Sequence, residues 1–287
     1  MTYSIVARDP QTGELGVAVQ SRAFGAGRVV PWARSEVGAI ATQAFGERSY
    51  GPRGLELMAA GSSPADALHE ALEADELREF RQVAFLAADG RSAVHTGSAC
   101  IPEAGHLAGD GFCVQGNMLR SAGVWHAMAE AFAASSGVLA ERLLDALDAA
   151  EAAGGDFRGR QAAGLLVVPG TSTGKPWDDV LFDLRIDDHP EPLVELRRLH
   201  GLAEAYRRAR TGSGASPEEE MEAARRAGLP ESDVVIAGAR AAAHTGDVAQ
   251  AASLLAGLVA ADRRWLAAFE AYERLGLLPR AVLERLV

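Results

Sequence analysis

The chain opens Met1-Thr2-Tyr3-Ser4, and the threonine in second place is its first candidate for chemistry. A threonine hydroxyl becomes a useful nucleophile only when a base accepts its proton. If Met1 is removed, Thr2 carries that base itself, because a free α-amine titrates at about pH 7.7–8.0. Thr2 is therefore a candidate catalytic nucleophile. The alternative is an ordinary polar residue at the start of a strand.

A second group of reactive side chains lies between residues 95 and 117. Gly116 and Asn117 offer a backbone N–H and a side-chain amide, the donors of an oxyanion hole. Cys100, with His95 and His106 nearby, is an alternative nucleophile in a Cys–His pair, although free cysteines are commonly buried apolar residues. The same three residues match no zinc-site spacing and lack a carboxylate. We expect neither a metal nor a cofactor.

Further candidates lie at strand ends and at one helix start. Strand alternation places Thr2 and Ser4 on one face. Arg22 is the cation expected to bind a substrate carboxylate or to tune the Thr2 amine. Besides Ser4, His95, Cys100 and His106, the residues expected to line a substrate pocket are Gln20, Ser21, Thr42, Gln43, Tyr50, Arg53 and Gln115.

The elements that must position these residues alternate between groups of strands and pairs of helices. Alternating or apolar runs bounded by turn residues predict eight strands, over residues 3–8, 14–21, 37–43, 82–87, 91–96, 112–115, 163–168 and 180–186. Helical spacing predicts one helix pair between residues 50 and 75 and another within 121–153. Consecutive strands with short connections form antiparallel sheets, and paired helices cover sheet faces. The order predicts an α+β fold, a four-layer αββα sandwich of two antiparallel sheets.

The composition changes after about residue 190, and no strand is indicated from Leu193 onward. Ser216-Pro217-Glu218-Glu219 is typical of a helix start, and residues 230–278 resemble one hairpin of a tetratricopeptide-like repeat. We predict two domains, a sandwich over residues 1–190 and a small all-α domain over 191–287.

Charge and hydropathy exclude several classes of function. The 287 residues carry a formal net charge of −11, which disfavours binding to nucleic acid and to anionic membranes. The two cysteines do not form a disulfide framework, and the start lacks the features of a signal peptide. We expect a cytoplasmic protein that acts on a small molecule.

Several segments together resemble a known bacterial family. These are SIVARDPQTGELGVAV, VVPWA, GAIATQAFGERSYGPRGL, HTGSACI, AGH and QGNML. They are similar to the domain-of-unknown-function family 1028 (DUF1028), a family placed by fold with the N-terminal nucleophile (Ntn) hydrolases. The resemblance covers residues 2 to about 190. Some relatives carry a C-terminal segment labelled as peptidoglycan-binding, at the position of the helical tail.

The resemblance implies the same four-layer sandwich and a nucleophile at the start of the central hairpin, where Thr2 stands. VAVQSRA resembles the second strand of proteasome-type members, with Gln20 in place of their carboxylate. Lys175 is the chain's one lysine, so the lysine that many members use near the third strand is absent, leaving Arg22 or Arg34 as the cation.

The leading hypothesis is an Ntn amidohydrolase that cleaves a small amide with Thr2, its own amine as base, and Asn117 with Gly116 as oxyanion donors. The alternatives are a noncatalytic small-ligand-binding or scaffold protein on the same fold, and a hydrolase using Cys100. A homo-oligomer is expected, because small sandwiches of this class commonly pair through their helix layers.

Overall fold

The computed structural model describes residues 2–211 and 214–287 and divides them into two units. The first unit ends at Arg197 and the second begins at Arg198. This division falls within one helix, α5 (Pro192–Thr211). The predicted domain boundary after residue 190 stays a prediction, and each unit is considered by itself.

The first unit combines two antiparallel sheets with two pairs of helices. Its strands are β1 Thr2–Arg8, β2 Leu15–Ser21, β3 Pro31–Arg34, β4 Gly38–Ala44, β5 Arg81–Ala87, β6 Ser92–Thr96, β7 Gly105–Gly109, β8 Phe112–Asn117, β9 Ala162–Val168 and β10 Phe182–Ile186. Its helices before α5 are α1 Tyr50–Ala59, α2 Pro64–Glu73, α3 Gly123–Ala134 and α4 Leu139–Ala152. The sheets have the orders β10-β9-β2-β1-β8-β7 and β3-β4-β5-β6.

The β1–β2 connection shows how the local sequence sets the register of the central hairpin. The Asp9 carboxylate accepts hydrogen bonds from the backbone N–H groups of Gln11 (2.8 Å) and Thr12 (2.9 Å), which closes an Asx turn. Gly13 completes the turn at φ 74°, in the left-handed region that glycine adopts without strain. The resulting register pairs Arg8 with Leu15 and, at the far end, Thr2 with Ser21.

The two sheets pack face to face through apolar side chains. Val6 and Val17 of the six-stranded sheet share one buried cluster with Ala41 and Leu86 of the four-stranded sheet. Because alternate residues of a strand point to opposite faces, their neighbours in sequence face outward, towards helices.

The helices cover both outer faces. Helices α1 and α2 pack on the four-stranded sheet around Ile40 and Phe85, and α3 and α4 pack on the six-stranded sheet. The Tyr3 hydroxyl, on the outer face of β1, donates a 2.7 Å hydrogen bond to Glu151 of α4. The expected α+β class with two antiparallel sheets and a helical C-terminal segment is confirmed.

Three strands differ from the prediction. β3 and β7 were not predicted, because each is a short edge strand and Pro31 or glycine interrupts its pattern. β8 extends to Asn117 and so includes Gly116 and Asn117, which the sequence pattern assigned to the following turn.

The second unit contains helices and, among its described residues, no strand. After the end of α5 come α6 Pro217–Arg226, α7 Glu231–His244, α8 Val248–Ala261, α9 Arg264–Arg274 and α10 Arg280–Leu283. Ser216 caps α6, as the sequence predicted, and it also forms a capping box with Glu219. Helix α7 packs against both α6 and α8, around buried residues such as Val234, Ala239 and Leu255.

Candidate active site

Thr2 lies at the start of β1, the central strand of the six-stranded sheet. It is opposite Ser21 on β2 and Asn117 on β8. Its hydroxyl lies 3.0 Å from the Ser21 hydroxyl, and 5% of the residue is exposed to solvent. By strand alternation its side chain is on the same face as Val6, which points between the sheets. The predicted removal of Met1 concerns a position outside the described residues.

Seven polar residues surround this end of the space between the sheets, and all are buried. We name them the inter-sheet polar cluster: Thr2, Ser4, Ser21, Gln43, Gln82, Gln115 and Asn117. None carries a charge, so the electrostatic field inside the cluster arises from hydroxyl and amide dipoles. Buried polar groups of this kind are tolerated when they are hydrogen-bonded to one another.

Gln43 joins the two sheets. Its Oε1 accepts a 2.7 Å hydrogen bond from the Ser4 hydroxyl of the facing sheet. Its Nε2 donates to the Thr2 carbonyl at 3.2 Å and to Gln82 Oε1 at 2.7 Å. The three bonds fix the orientation of the amide and hold Thr2 against β4.

Gln82 is the central residue of the cluster, and the sequence analysis missed it. Its Oε1 also accepts from Asn117 Nδ2 at 2.9 Å, and its Nε2 lies 2.8 Å from the Gly116 carbonyl. The same Nε2 lies 3.0 Å from Thr96 Oγ1 and 3.1 Å from the Gly105 carbonyl. The available signal was a glutamine at the start of a strand whose following residues, 83–87, are all apolar.

Gln115 on β8 holds the side chain of Ser4 on the neighbouring strand β1. Its Nε2 lies 3.3 Å from Ser4 Oγ and 3.1 Å from the Ala41 carbonyl, while its Oε1 is buried without a hydrogen-bond partner. Gln115 thereby orients Ser4 towards Gln43, and Ser4 is fixed as a donor.

Asn117 and Gly116, the predicted oxyanion donors, both lie beside Thr2. Asn117 lies directly opposite Thr2 on the neighbouring strand. One N–H of its side-chain amide donates to Gln82 Oε1. Since an asparagine amide has two N–H groups, a second N–H remains. The Gly116 carbonyl faces Gln82.

A series of hydrogen bonds connects the ionisable side chain of His106 to the cluster through Thr96. Its Nδ1 lies 2.8 Å from Thr96 Oγ1. The Thr96 hydroxyl accepts from Gln82 and can in addition either donate to His106 Nδ1 or accept from it. Burial, and to a smaller extent His95, lower the pKa of His106, which favours the neutral ring.

Arg22 follows Ser21 at the exposed end of β2. Its backbone N–H donates to the buried carboxylate of Asp156 at 3.1 Å. Its guanidinium donates to Gln161. The side chain therefore borders the Thr2 end of the sheet, outside the buried cluster.

Four predicted pocket residues lie elsewhere. Gln20 pairs with Tyr3, so its side chain is on the helix-covered face, where it is buried and neither amide atom has a partner among the described residues. Thr42 also faces outward and donates to the Glu47 carbonyl at 3.0 Å. On the helix layer, Tyr50 bonds to Asp75 at 3.1 Å and Arg53 to Glu70 at 3.1 Å.

His95 and Cys100 do not form the predicted pair. His95 pairs with Val83 on the outward face of its sheet, and its Nε2 lies 2.9 Å from the Arg78 carbonyl. The Cys100 thiol donates to the Arg81 carbonyl at 3.3 Å, and burial raises its pKa. Both features favour the thiol over the thiolate that a nucleophile needs.

Over 2–211 and 214–287, no group of three His, Cys, Asp or Glu side chains is arranged to hold a metal ion. No helix within these ranges combines the length and apolar character needed to cross a bilayer.

Comparison with known proteins identifies the family. Residues 2–196 match the family of unknown function DUF1028. A crystal structure of protein SPO2555 from Silicibacter pomeroyi, a DUF1028 protein, is similar with a TM-score of 0.62 and 33% identity, over 74% of this chain and 90% of that one. No curated protein matches the chain. The chain therefore belongs to the DUF1028 family, whose function is unknown.

Proposed function

We propose that the protein is an N-terminal nucleophile amidohydrolase that cleaves a small amide with Thr2 after removal of Met1. The observation that supports this most directly is the position of the Thr2 hydroxyl. It lies at the first residue of a central strand, between the sheets, with 5% of the residue exposed and the Ser21 hydroxyl 3.0 Å away.

In the proposed reaction the free α-amine of Thr2 accepts the hydroxyl proton while the oxygen attacks the amide carbonyl carbon. The amine then returns that proton to the departing nitrogen, so the C–N bond breaks and an ester with Thr2 remains. Water, deprotonated by the same amine, hydrolyses the ester and restores Thr2. An amine with a pKa of about 7.7–8.0 serves both directions near neutral pH.

The developing oxyanion needs donors that are already oriented. Asn117 fits this role, because its bond to Gln82 at 2.9 Å fixes its amide while a second N–H remains. Gly116 precedes it inside β8, opposite Tyr3 and Gly105 on the two neighbouring strands, so its backbone N–H lies in the plane of the sheet and Asn117 is left as the proposed donor. Arg22, exposed beside Ser21, is proposed to bind a substrate carboxylate. With Gln20 facing the helices, the Thr2 amine acts as the base without a charged relay.

The experiment has two steps. The intact mass of the protein from its native host determines whether Met1 is lost. The wild type, Thr2→Ala and Thr2→Ser are then incubated with activated small esters and amides, and acylation of the chain is followed by mass. We expect an acyl adduct on the wild type, a slower one on Thr2→Ser, and none on Thr2→Ala.

Thr171→Ala is the matched control, since it removes an exposed threonine hydroxyl from the loop after β9 and keeps Thr2. Full acylation or turnover by Thr2→Ala would exclude the mechanism, as would retention of Met1 in all of the native protein.

One observation supports a second candidate, a noncatalytic small-ligand-binding or scaffold role. The amides of Gln43, Gln82 and Asn117 are bonded to one another and to neighbouring protein groups, an arrangement that also suits a purely structural cluster. Under this alternative Met1 is retained and Thr2→Ala changes only stability.

A further inference from the structure

The second unit contains a cavity that the proposed function does not use. It has a volume of about 490 Å³ and lies between the end of α5, helix α7 and the loop before α10. A volume of this size is in the range that holds a small organic ligand.

Three arginines line this cavity, and two of them lack a carboxylate partner. Arg208 forms an ion pair with the buried Glu220 at 2.8 Å. Arg210 and Arg240 form no ion pair with any carboxylate in the part of the chain that the structure describes. The chain has a net charge of −11 and therefore many acidic side chains. The cavity nevertheless keeps two guanidinium groups whose positive charges no carboxylate of the described residues neutralises.

Arg240 is held close to Arg210. Its guanidinium donates to the Arg210 backbone carbonyl, at the end of α5. The half-buried position of Arg240 and the nearby Arg210 charge lower the pKa of its guanidinium, while Tyr272 opposes this change. An anion between the two side chains would relieve the repulsion, because guanidinium groups bind carboxylates and phosphates through paired N–H donors.

The rest of the wall is partly apolar. Leu277, Leu278 and Pro279 border the cavity on the side of the loop before α10, and Ala237 and Ala241 border it on α7. A ligand that matches both parts carries one anionic group and an apolar body.

We propose that this cavity binds a small organic anion, a carboxylate or a phosphate monoester, through Arg210 and Arg240. The proposal is independent of catalysis at Thr2. Arg240 does more than cap α5: one of its N–H groups bonds to the end of that helix, as basic residues near helix C-termini do. Within residues 2–211 and 214–287, no hydrogen bond uses its other donors or those of the Arg210 side chain, so these can bind the ligand.

The test is titration calorimetry of the full chain with phenyl phosphate and with benzoate, using uncharged benzamide as the reference ligand. We expect saturable binding of at least one anion and none of benzamide. The anion that binds more tightly identifies the anionic group of the ligand as a phosphate or a carboxylate. Arg210→Gln should weaken binding at least about tenfold, about 1.4 kcal/mol, without disturbing the bond from Arg240 to the Arg210 carbonyl. Arg240→Gln should weaken it similarly.

Arg226→Gln is the control, because it changes the net charge equally but removes an exposed arginine that pairs with Glu222 outside the cavity. It should leave the affinity unchanged. Absence of saturable binding by both anions, or equal weakening by Arg226→Gln, would overturn the proposal. If Arg240→Gln does not fold, the Arg210→Gln result decides.

Discussion

The hydroxyls of Thr2 and Ser21 lie 3.0 Å apart on neighbouring strands. Ser21 Oγ also accepts the Ala23 backbone N–H at 3.1 Å, which holds the Ser21 hydroxyl beside Thr2. Ser21 is therefore suited to hold the Thr2 side chain in one rotamer.

We predict that Ser21→Ala destabilises the fold by about 1–2 kcal/mol, because buried hydroxyl partners are lost, and slows acylation at Thr2. Urea denaturation and the acylation assay measure the two effects. Ser136→Ala, which removes an exposed hydroxyl from the loop between α3 and α4, is the control and should change neither. Unchanged stability and acylation in Ser21→Ala would contradict a positioning role.

A second prediction concerns Gln82. Gln82→Leu leaves the Gln43 and Asn117 amides and the Gly116 carbonyl without their shared partner. Because each buried group left unsatisfied costs about 1–3 kcal/mol, we expect a loss of at least about 3 kcal/mol in the free energy of unfolding. Gln11→Leu, an exposed glutamine, should cost little. A loss below about 1 kcal/mol in Gln82→Leu would mean that water replaces the amide.

A third prediction tests the approach of β9 to the turn after β2. A Cβ on Gly164 would lie 2.7 Å from the Gly27 Cα, a backbone atom that cannot rotate away. Gly164→Ala should therefore destabilise the protein by about 1–3 kcal/mol. Gly257→Ala is the matched control: it lies in α8 with open space around it, and the higher helix propensity of alanine should stabilise by up to about 1 kcal/mol. Thermal unfolding of both variants gives the comparison.

A fourth prediction concerns acid stability. Asp75 bonds to Arg81 at 2.7 Å and accepts from the Tyr50 hydroxyl, and the Arg81 bond is the main cause of its lowered pKa. A carboxylate whose pKa is lower in the folded state stabilises fully above its unfolded pKa of about 3.9 and loses this contribution as pH falls through the folded pKa.

Asp75→Asn should therefore cost about 1–3 kcal/mol at pH 7, and the difference from wild type should shrink below about pH 4. Urea denaturation at several pH values measures it. Glu70→Gln, which removes the carboxylate of an exposed pair with Arg53, should show almost no such dependence. A difference that is constant down to pH 2 would contradict the role of the Asp75 charge.

A fifth prediction concerns the cysteines. Burial raises the pKa of both thiols, that of Cys113 to about 11. Because the thiolate is the reactive form, both should react slowly with iodoacetamide in the native protein and rapidly in urea. Cys100→Ser should leave any Thr2-dependent acylation intact. Rapid native alkylation of Cys100 would support the alternative of a cysteine hydrolase.

The sequence predicted the layers of the sandwich well, because alternation and turn residues are local signals. It also placed Thr2, Ser4, Gln115 and Asn117 near one another, through strands that pair directly. It could not place side chains across the two sheets. Gln82 lies opposite Gln43 on the neighbouring strand, but it meets Asn117 only because β5 packs against β8, and no local pattern encodes that contact.

Strand parity explains two of the misplaced residues. Gln20 and Ser21 are adjacent, as are Thr42 and Gln43, and adjacent residues of a strand face opposite sides. Only one of each pair could lie beside Thr2, and the register of the sheets selects Ser21 and Gln43. Tyr50 and Arg53 were expected near the pocket because they open a helix, but that helix lies on the far side of its sheet.

The amides of Gln43 and Gln82 also determine how the sheets are aligned with each other. Apolar side chains between two sheets tolerate a small relative sliding, since one methyl group replaces another at little cost. The bonds between Ser4 and Gln43 and between Asn117 and Gln82 would have no equivalent if one sheet shifted by one residue relative to the other. The hydrogen bonds at the polar end of the sandwich therefore set the relative position of the two sheets. They fix Thr2 relative to the opposite sheet even if the apolar end repacks.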